Sequence, residues 1–161
     1  MATIQSYEED ASASKRILQW QYAVDIANQR PLFANGFDAY LHQPYYQRFV
    51  GSSDKNRAVH SNYFQVLGEQ GYIGLLLYLI IMGTAFFSAG RWSRKFSSTQ
   101  ETRWASPFLE MIQFSIAGYA FNGLTINVAY IDLYYLILAF MALLISYNSR
   151  IIYQGAGNIR N

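Results

Sequence analysis

A run of twenty residues without a charge, from Gly71 to Gly90, constrains the fold of this chain most strongly. An α-helix of that length rises about 30 Å, the hydrocarbon thickness of a bilayer. The alternative, a buried helix of a soluble domain, usually has a polar stripe that this run lacks. The sequence therefore predicts a transmembrane helix over 71–90 in an all-α integral membrane protein.

Two further apolar segments follow the first run. The segment 107–128 is interrupted by several polar residues, whereas 129–148 has Asp132 as its one charged residue. The sequence thus predicts about three transmembrane helices, the last two forming a hairpin. The second span also has a face of small and polar residues at helical spacing, which favours packing against other helices and not against lipid: Ser115, Gly118, Asn122 and Thr125.

Basic residues in the connecting segments predict the orientation. The segment 91–106 contains four Lys or Arg residues and one acidic residue, and the tail 149–161 contains Arg150 and Arg160. Both segments lie on one side if all three helices cross, and the positive-inside rule makes that side cytoplasmic. Residues 1–70 then face outward, to the periplasm or the cell exterior.

The outward region precedes every apolar run. No cleavable export signal is visible before residue 71, because the first residues are polar. An exported region needs membrane helices or a signal ahead of it. We therefore expect the chain to be the C-terminal part of a larger multi-span protein.

Residues 1–70 are predicted to form a helix followed by an aromatic loop. Ser12 or Ser14 is a candidate helix cap, and Pro31 is expected to end the helix. The aromatic side chains of the loop are either anchors at the membrane interface or platforms that stack on sugars. They are Phe37, Tyr40, Tyr45, Tyr46 and Phe49.

Composition and motifs exclude several kinds of site. The chain has no cysteine, so it contains neither disulfides nor thiolate metal sites, and its net charge of +2 is too small to indicate a nucleic-acid partner. It also lacks a phosphate-binding glycine loop, a paired-histidine metal motif and a nucleophile elbow. These absences disfavour an ATP-driven ligase.

The residues at the entry to the first membrane helix carry a family motif. A histidine, a small polar residue, nine further positions and then Gly-x-x-Gly resembles the motif of the O-antigen ligase superfamily, which includes related polysaccharide polymerases. His60, Ser61, Gly71 and Gly74 match this motif in register.

Two upstream elements extend the resemblance. Arg16 and Trp20 match the family's Arg-x-x-x-Trp element, and Arg30-Pro31-Leu32-Phe33 is similar to its Pro-Leu turn. The family usually has two glycines after this turn, whereas Ala34-Asn35-Gly36 keeps only the second. Longer strings are similar to the exosortase-A-associated putative O-glycosylation ligases: Thr3 to Arg16, Leu67 to Glu69, and Ala129 to Tyr135.

The resemblance implies a reaction and its partners. The family transfers a glycan from an undecaprenyl-diphosphate carrier to an acceptor hydroxyl of a lipid, protein or polysaccharide. Transfer takes place at the periplasmic face of the inner membrane, without a metal or other cofactor. We expect the isolated chain to be inactive, because three spans provide too few walls for a carrier-binding cavity.

The residue types fit this chemistry. His60 has the side chain suited to accepting a proton near neutral pH, and is the candidate catalytic base. Arginine binds phosphate oxygens in pairs, which makes Arg16 the best-matched diphosphate ligand, with Arg48 and Arg57 as further candidates. Trp20, Ser61, Gly71 and Gly74 complete the motif as structural positions. The alternatives are a polysaccharide polymerase of the same superfamily and a non-catalytic, truncated membrane protein.

Overall fold

The computed structural model describes residues 2–39, 43–50 and 59–158, with side chains for 13–39, 44–49 and 59–152. These residues form helices and connecting turns and contain no strand, so the predicted all-α class is confirmed. The α-helices are α1 (Ala2–Gln29), α2 (Gln43–Val50), α3 (Asn62–Ser97), α4 (Ser106–Asn122) and α5 (Asp132–Asn158), and a 3₁₀ turn (Arg103–Ala105) precedes α4.

The chain divides into two compact units. The first contains Met1–Leu79 and Gly123–Ala129, and the second contains Ile80–Asn122 and Tyr130–Asn161. The long helix α3 contributes to both. The motif positions 16, 20, 60, 61, 71 and 74 all belong to the first unit.

The first unit has a core of aromatic and small side chains. Tyr22, Ala23 and Ile26 of α1 are buried together with Tyr46 of α2 and with Val59. The spacing of the three α1 residues places them on one helix face, which explains why this face is covered. Helix α1 ends two residues before proline, as the sequence predicts, but it begins at Ala2 and runs through both predicted cap serines. The predicted start at Ser12 or Ser14 is therefore wrong.

Helix α3 is interrupted once, at Gly71. This residue has φ 73° and ψ −170°, a conformation that is open essentially to glycine alone. The helix begins at Asn62, nine residues before Gly71, so Gly71 is a break within a helix and not its start. The sequence-based interpretation of Gly71–Gly74 as a helix entry is wrong in this respect.

The second unit packs α3, α4 and α5 around apolar side chains. Its buried residues come from all three helices and from the 3₁₀ turn: Ala85, Ala89, Phe96, Ala105, Leu109, Ile112, Ile116, Met141 and Leu144. Gly90 allows a close approach, because a Cβ there would lie 2.6 Å from Nε2 of Gln113. Ser93 Oγ donates to Glu110 Oε1 at 2.9 Å, so the carboxylate of α4 has a partner.

Two helices of the described chain are long and apolar enough to cross a membrane. They are α3 and the stretch Asp132–Ile152 of α5. Helix α4 has 17 residues and is not among them, so the predicted middle span stays a prediction. Helix α3 continues to Ser97, so Arg91, Arg94 and Lys95 lie on its last turns, where the helix dipole favours cations, and not in the predicted 91–106 loop.

The predicted boundaries around the hairpin need correction. Helix α4 ends at Asn122, not at 128, and α5 begins at Asp132, not at 129. The residues between them are rich in β-branched side chains, which favour helices weakly. Thr125 therefore lies beyond α4 and does not share the predicted small-residue face, whereas Ser115 and Gly118 of that face are exposed.

Candidate functional site

His60 lies directly before helix α3 in an unusual backbone conformation. Its φ is 51°, in the left-handed region that non-glycine residues seldom adopt, and its side chain is exposed. The neighbours on both sides, Val59 and Ser61, are buried. The backbone is thus fixed on either side of an imidazole that points to the surface and is accessible to a substrate.

Trp20 connects helix α1 to the residue preceding the histidine. Its Nε1 donates to the carbonyl oxygen of Val59 at 3.0 Å, and its ring stacks on Phe64 of α3 with centroids 5.0 Å apart. One side chain therefore binds the chain just before His60 and the helix just after it. This contact gives the tryptophan of the Arg-x-x-x-Trp element a definite structural role.

The candidate arginines lie close in sequence to core residues of the first unit. Arg16 lies one helical turn before Trp20 on the same face of α1 and is exposed. Arg48 is exposed on α2, two residues after the buried Tyr46, with its guanidinium 5.8 Å from the centre of the Tyr45 ring. Arg57 lies outside the described residues. Of the two described arginines, Arg16 is thus the one on the helix whose Trp20 contacts the residue before His60.

Ser61 and Asn62 bind the segment between α4 and α5. Ser61 Oγ donates to Gly123 O at 3.2 Å, and the Asn62 amide donates to the same oxygen at 2.8 Å. Asn62 Oδ1 accepts from the Val128 amide at 2.6 Å. Because both side chains are buried, these bonds fasten residues 123–128 onto the first turn of α3, directly beside His60.

The two motif glycines allow close packing at the break in α3. A Cβ on Gly71 would lie 2.8 Å from the Pro31 oxygen, and a Cβ on Gly74 would lie 2.1 Å from Cβ of Gln70. The Tyr72 amide, freed from the helix ladder by the break, donates to Pro31 O at 2.9 Å. The absence of a side chain at Gly71 thus lets the Pro-Leu turn approach α3 and bind the Tyr72 amide.

The position of Glu69 differs from the expected one. Its side chain is 1% exposed, and its Oε1 accepts from the Asp38 amide at 3.1 Å. The sequence alone predicts a water-facing or helix-pairing carboxylate at this position. The burial of Glu69 excludes the water-facing role, and the carboxylate holds the loop that follows the Pro-Leu turn. Asp132 is exposed in the first turn of α5, where the helix dipole stabilises a negative charge.

Tyr22 is a buried side chain of the first unit whose pKa is strongly raised. Burial, with a smaller contribution from the charge of Asp25, raises the pKa of Tyr22 to about 12. Its hydroxyl has no hydrogen-bond partner among the described residues. Tyr22 therefore stays neutral under all physiological conditions and serves the core.

Several residues of this arrangement were not found from sequence. Asn62 and the backbone of Gly123 and Val128 are distant in sequence, and no spacing rule brings them together. The small polar residue of the motif was the available signal for Ser61, and its partner was not predictable. Among the described residues, no group of three or more His, Asp or Glu side chains is placed to hold a metal ion.

Comparison with known proteins bears on these same motif positions. Residues 1–79 match the model of the O-antigen ligase family. The match spans the Arg-x-x-x-Trp element, the Pro-Leu turn and the His60 motif, so the resemblance to the O-antigen ligase superfamily is confirmed.

A curated relative agrees with the O-antigen ligase assignment. The chain is 27% identical over 88 residues to the exopolysaccharide production protein ExoQ of Rhizobium meliloti (strain 1021), an alignment covering 51% of this chain and 20% of the relative. The chain thus spans about a fifth of the length of that protein. No solved structure matches the chain. The narrower similarity to exosortase-A-associated ligases stays a prediction.

Proposed function

We propose that this protein takes part in the transfer of a glycan from an undecaprenyl-diphosphate carrier to an acceptor hydroxyl. The reaction takes place in the bacterial inner membrane, with residues 1–70 in the periplasm. Support comes from the O-antigen ligase match and from the two helices long and apolar enough to span a bilayer. The donor, the acceptor and the membrane lipid are the partners, and no metal takes part in the proposed chemistry.

In the proposed mechanism, His60 accepts the proton of the acceptor hydroxyl. The oxygen attacks the anomeric carbon of the donor sugar as the bond from that carbon to the diphosphate breaks. The diphosphate leaves on the carrier, and its charge is stabilised by Arg16 together with Arg48 or Arg57. The exposed imidazole and the exposed guanidinium groups of Arg16 and Arg48 suit a substrate that approaches from outside the core.

One contact carries this proposal. The hydrogen bond from Trp20 Nε1 to Val59 O connects the face of α1 that includes Arg16 with the residue next to His60. The proposed base, His60, and the proposed cation, Arg16, belong to separate motif elements, and Trp20 connects the two elements. Positioning of this kind accounts for a large part of the rate in group transfer.

The proposal is tested by replacing His60 with asparagine in the full-length protein. Asparagine adopts the left-handed conformation readily, so the backbone at φ 51° is preserved while the base is removed. We expect glycan transfer to fall by at least about a hundredfold, the usual contribution of a general base, with normal membrane insertion. Transfer that continues at the wild-type rate contradicts the role of His60.

A second substitution tests the cation. Arg16→Lys keeps the charge but loses the planar, two-point contact with phosphate oxygens, so transfer should decrease. The matched control is Lys15→Arg, which changes an exposed neighbouring cation and should leave transfer unchanged. Equal effects of the two variants would refute the specific role of Arg16.

The polymerase alternative is favoured by one observation. The curated relative is named an exopolysaccharide production protein, which fits chain extension as well as ligation. In a polymerase the same base and cations act on an acceptor that is itself linked to a carrier. Labelled carrier-linked units distinguish the two, because a polymerase lengthens chains on the carrier and a ligase moves them to another acceptor.

A further inference from the structure

The turn between α1 and α2 exposes three large apolar side chains. Leu32 is 57% exposed, Phe33 78% and Phe37 70%. Single exposed apolar residues are normal on protein surfaces, but three within six positions form a patch. We refer to residues 31–38 as the Pro-Leu loop.

Hydrogen bonds attach the Pro-Leu loop to a single turn of helix α3, residues 69–72. Pro31 O accepts from the Tyr72 amide at 2.9 Å, and the Gly36 amide donates to Glu69 O at 3.0 Å. The Asp38 amide adds the bond to Glu69 Oε1. Attachment at both ends holds the loop at residues 69–72 of α3.

The loop backbone also resists rearrangement. Ala34 is 6% exposed, and its φ of 47° directs the chain so that Leu32 and Phe33 face outward while Ala34 faces inward. The loop therefore presents Leu32 and Phe33 at its surface and Ala34 on its buried side.

The level of attachment coincides with the start of the charge-free run. Gly71 is the first residue of that run, and the following α3 residues Ile73 and Leu76 are exposed and apolar. Arg30, which precedes the loop, is exposed and charged, as expected for a side chain that reaches toward lipid phosphates. The apolar patch is therefore continuous with the surface of α3 that faces lipid if α3 crosses the bilayer.

We propose that Leu32, Phe33 and Phe37 insert into the outer leaflet and anchor the Pro-Leu loop to phospholipid acyl chains. The bilayer is the partner because the patch is at the depth where α3 becomes apolar, and because its cationic neighbour suits anionic headgroups. The loop then sets the height of residues 69–72 relative to the membrane surface. This inference depends on the membrane insertion of α3 and not on the proposed reaction.

Site-directed spin labelling tests the proposal directly: residues 1–161 contain no cysteine, and any cysteine elsewhere in the full-length protein is first replaced by serine. A nitroxide is attached to Phe33→Cys and, separately, to Leu32→Cys in the full-length protein reconstituted in phosphatidylcholine and phosphatidylglycerol vesicles. Leu76→Cys on the apolar run is the lipid reference, and Gln21→Cys on an exposed turn of α1 is the water reference. Collision rates with oxygen, which concentrates in lipid, and with a water-soluble nickel chelate are compared at each site.

At positions 32 and 33, as at the lipid reference 76, the collision rate with oxygen should exceed the rate with the nickel chelate. At the water reference 21 the order should be reversed. These vesicles contain no polyprenyl carrier, so lipid contact measured there is contact with the bilayer. Preferential collision with nickel overturns the proposal because the loop is then in water. Low collision rates with both reagents overturn it too, because the patch is then covered by protein. The label replaces side chains that are largely exposed, and circular dichroism verifies that the helices are retained.

Discussion

At the scale of single residues, Gly71 carries the strongest constraint in the motif. Its φ of 73° excludes other residues, and a Cβ would contact the Pro31 oxygen at 2.8 Å. We expect Gly71→Ala to lower the free energy of unfolding by about 2–3 kcal/mol, the usual cost of such strain plus the contact. Thermal unfolding in detergent micelles measures this change.

Gly83 provides the matched control in the same helix. A Cβ there meets no atom within 4 Å, so Gly83→Ala should change stability by less than about 0.5 kcal/mol. Similar losses for both variants would show that the conformation at Gly71 is not special.

Tyr22 predicts a specific pH dependence. The unfolded chain releases the phenol proton at the ordinary pKa of 10.0, and the folded chain releases it at about 12 because of burial. The folded state therefore binds more protons in this range. Stability is complete below pH 10 and falls up to about pH 12, by about 1.4 kcal/mol for each pH unit.

The variant Tyr22→Phe isolates this contribution. It removes a buried hydroxyl that has no partner among the described residues, so stability at pH 7 should not fall. Between pH 10 and 12 its free energy of unfolding should decline less steeply than that of the wild type. Denaturant titrations at each pH give the two slopes, and parallel slopes would contradict the assignment.

At the scale of helices and their connections, Asn62 ties α3 to the segment 123–129. Asn62→Ala removes the acceptor of the Val128 amide and should destabilise the unit by about 1–3 kcal/mol. The Val128 amide should then exchange with solvent faster. Hydrogen exchange read by mass spectrometry of the 123–129 peptide measures this.

Asn148 offers a comparison at this scale. It is equally buried, but its Nδ2 donates to Leu144 O within its own helix. Asn148→Ala should leave exchange of the 123–129 peptide unchanged. Faster exchange in both variants would mean that general loosening, and not the Asn62 contact, protects Val128.

The sequence predicted elements where a local signal determines them. The charge-free run predicted the apolar part of α3, and Pro31 predicted the end of α1. Both signals depend only on residues that are close in sequence. The break at Gly71 was not predicted, since it depends on the Pro-Leu turn approaching from a distant part of the chain. The end of α4 at Asn122 was missed for a similar reason, because Gly123 and Val128 bind Ser61 and Asn62.

For the candidate site, the sequence indicated the motif residues but not the contacts that they make. His60 and Trp20 were singled out because a sequence motif marks them, and their catalytic and structural roles stay predictions. What Trp20 does was not predictable, because its partner is a backbone oxygen 39 residues away. The burial of Glu69 was not predictable, because its partner is a backbone amide 31 residues away.

At the scale of the whole molecule, the distribution of basic residues predicts sidedness. In right-side-out vesicles, a membrane-impermeant thiol reagent should modify Gln21→Cys and not Ser98→Cys in the turn after α3. The chain supplies its own background control, because it has no cysteine. Modification of both positions before the membrane is opened would contradict the predicted orientation.

The number of residues between Ser61 and Gly71, nine, is fixed by the hydrogen bonds at the two ends of this stretch. This stretch of α3 is bound at one end to Gly123 and at the other to Pro31. Inserting or deleting one residue would rotate the ends relative to each other by about 100° and shift them by about 1.5 Å. Both attachments cannot survive such a change. Insertions and deletions within the stretch are therefore excluded whatever its residues are, and an alignment gap at this place would mark a chain whose histidine no longer has a fixed position relative to the glycine break.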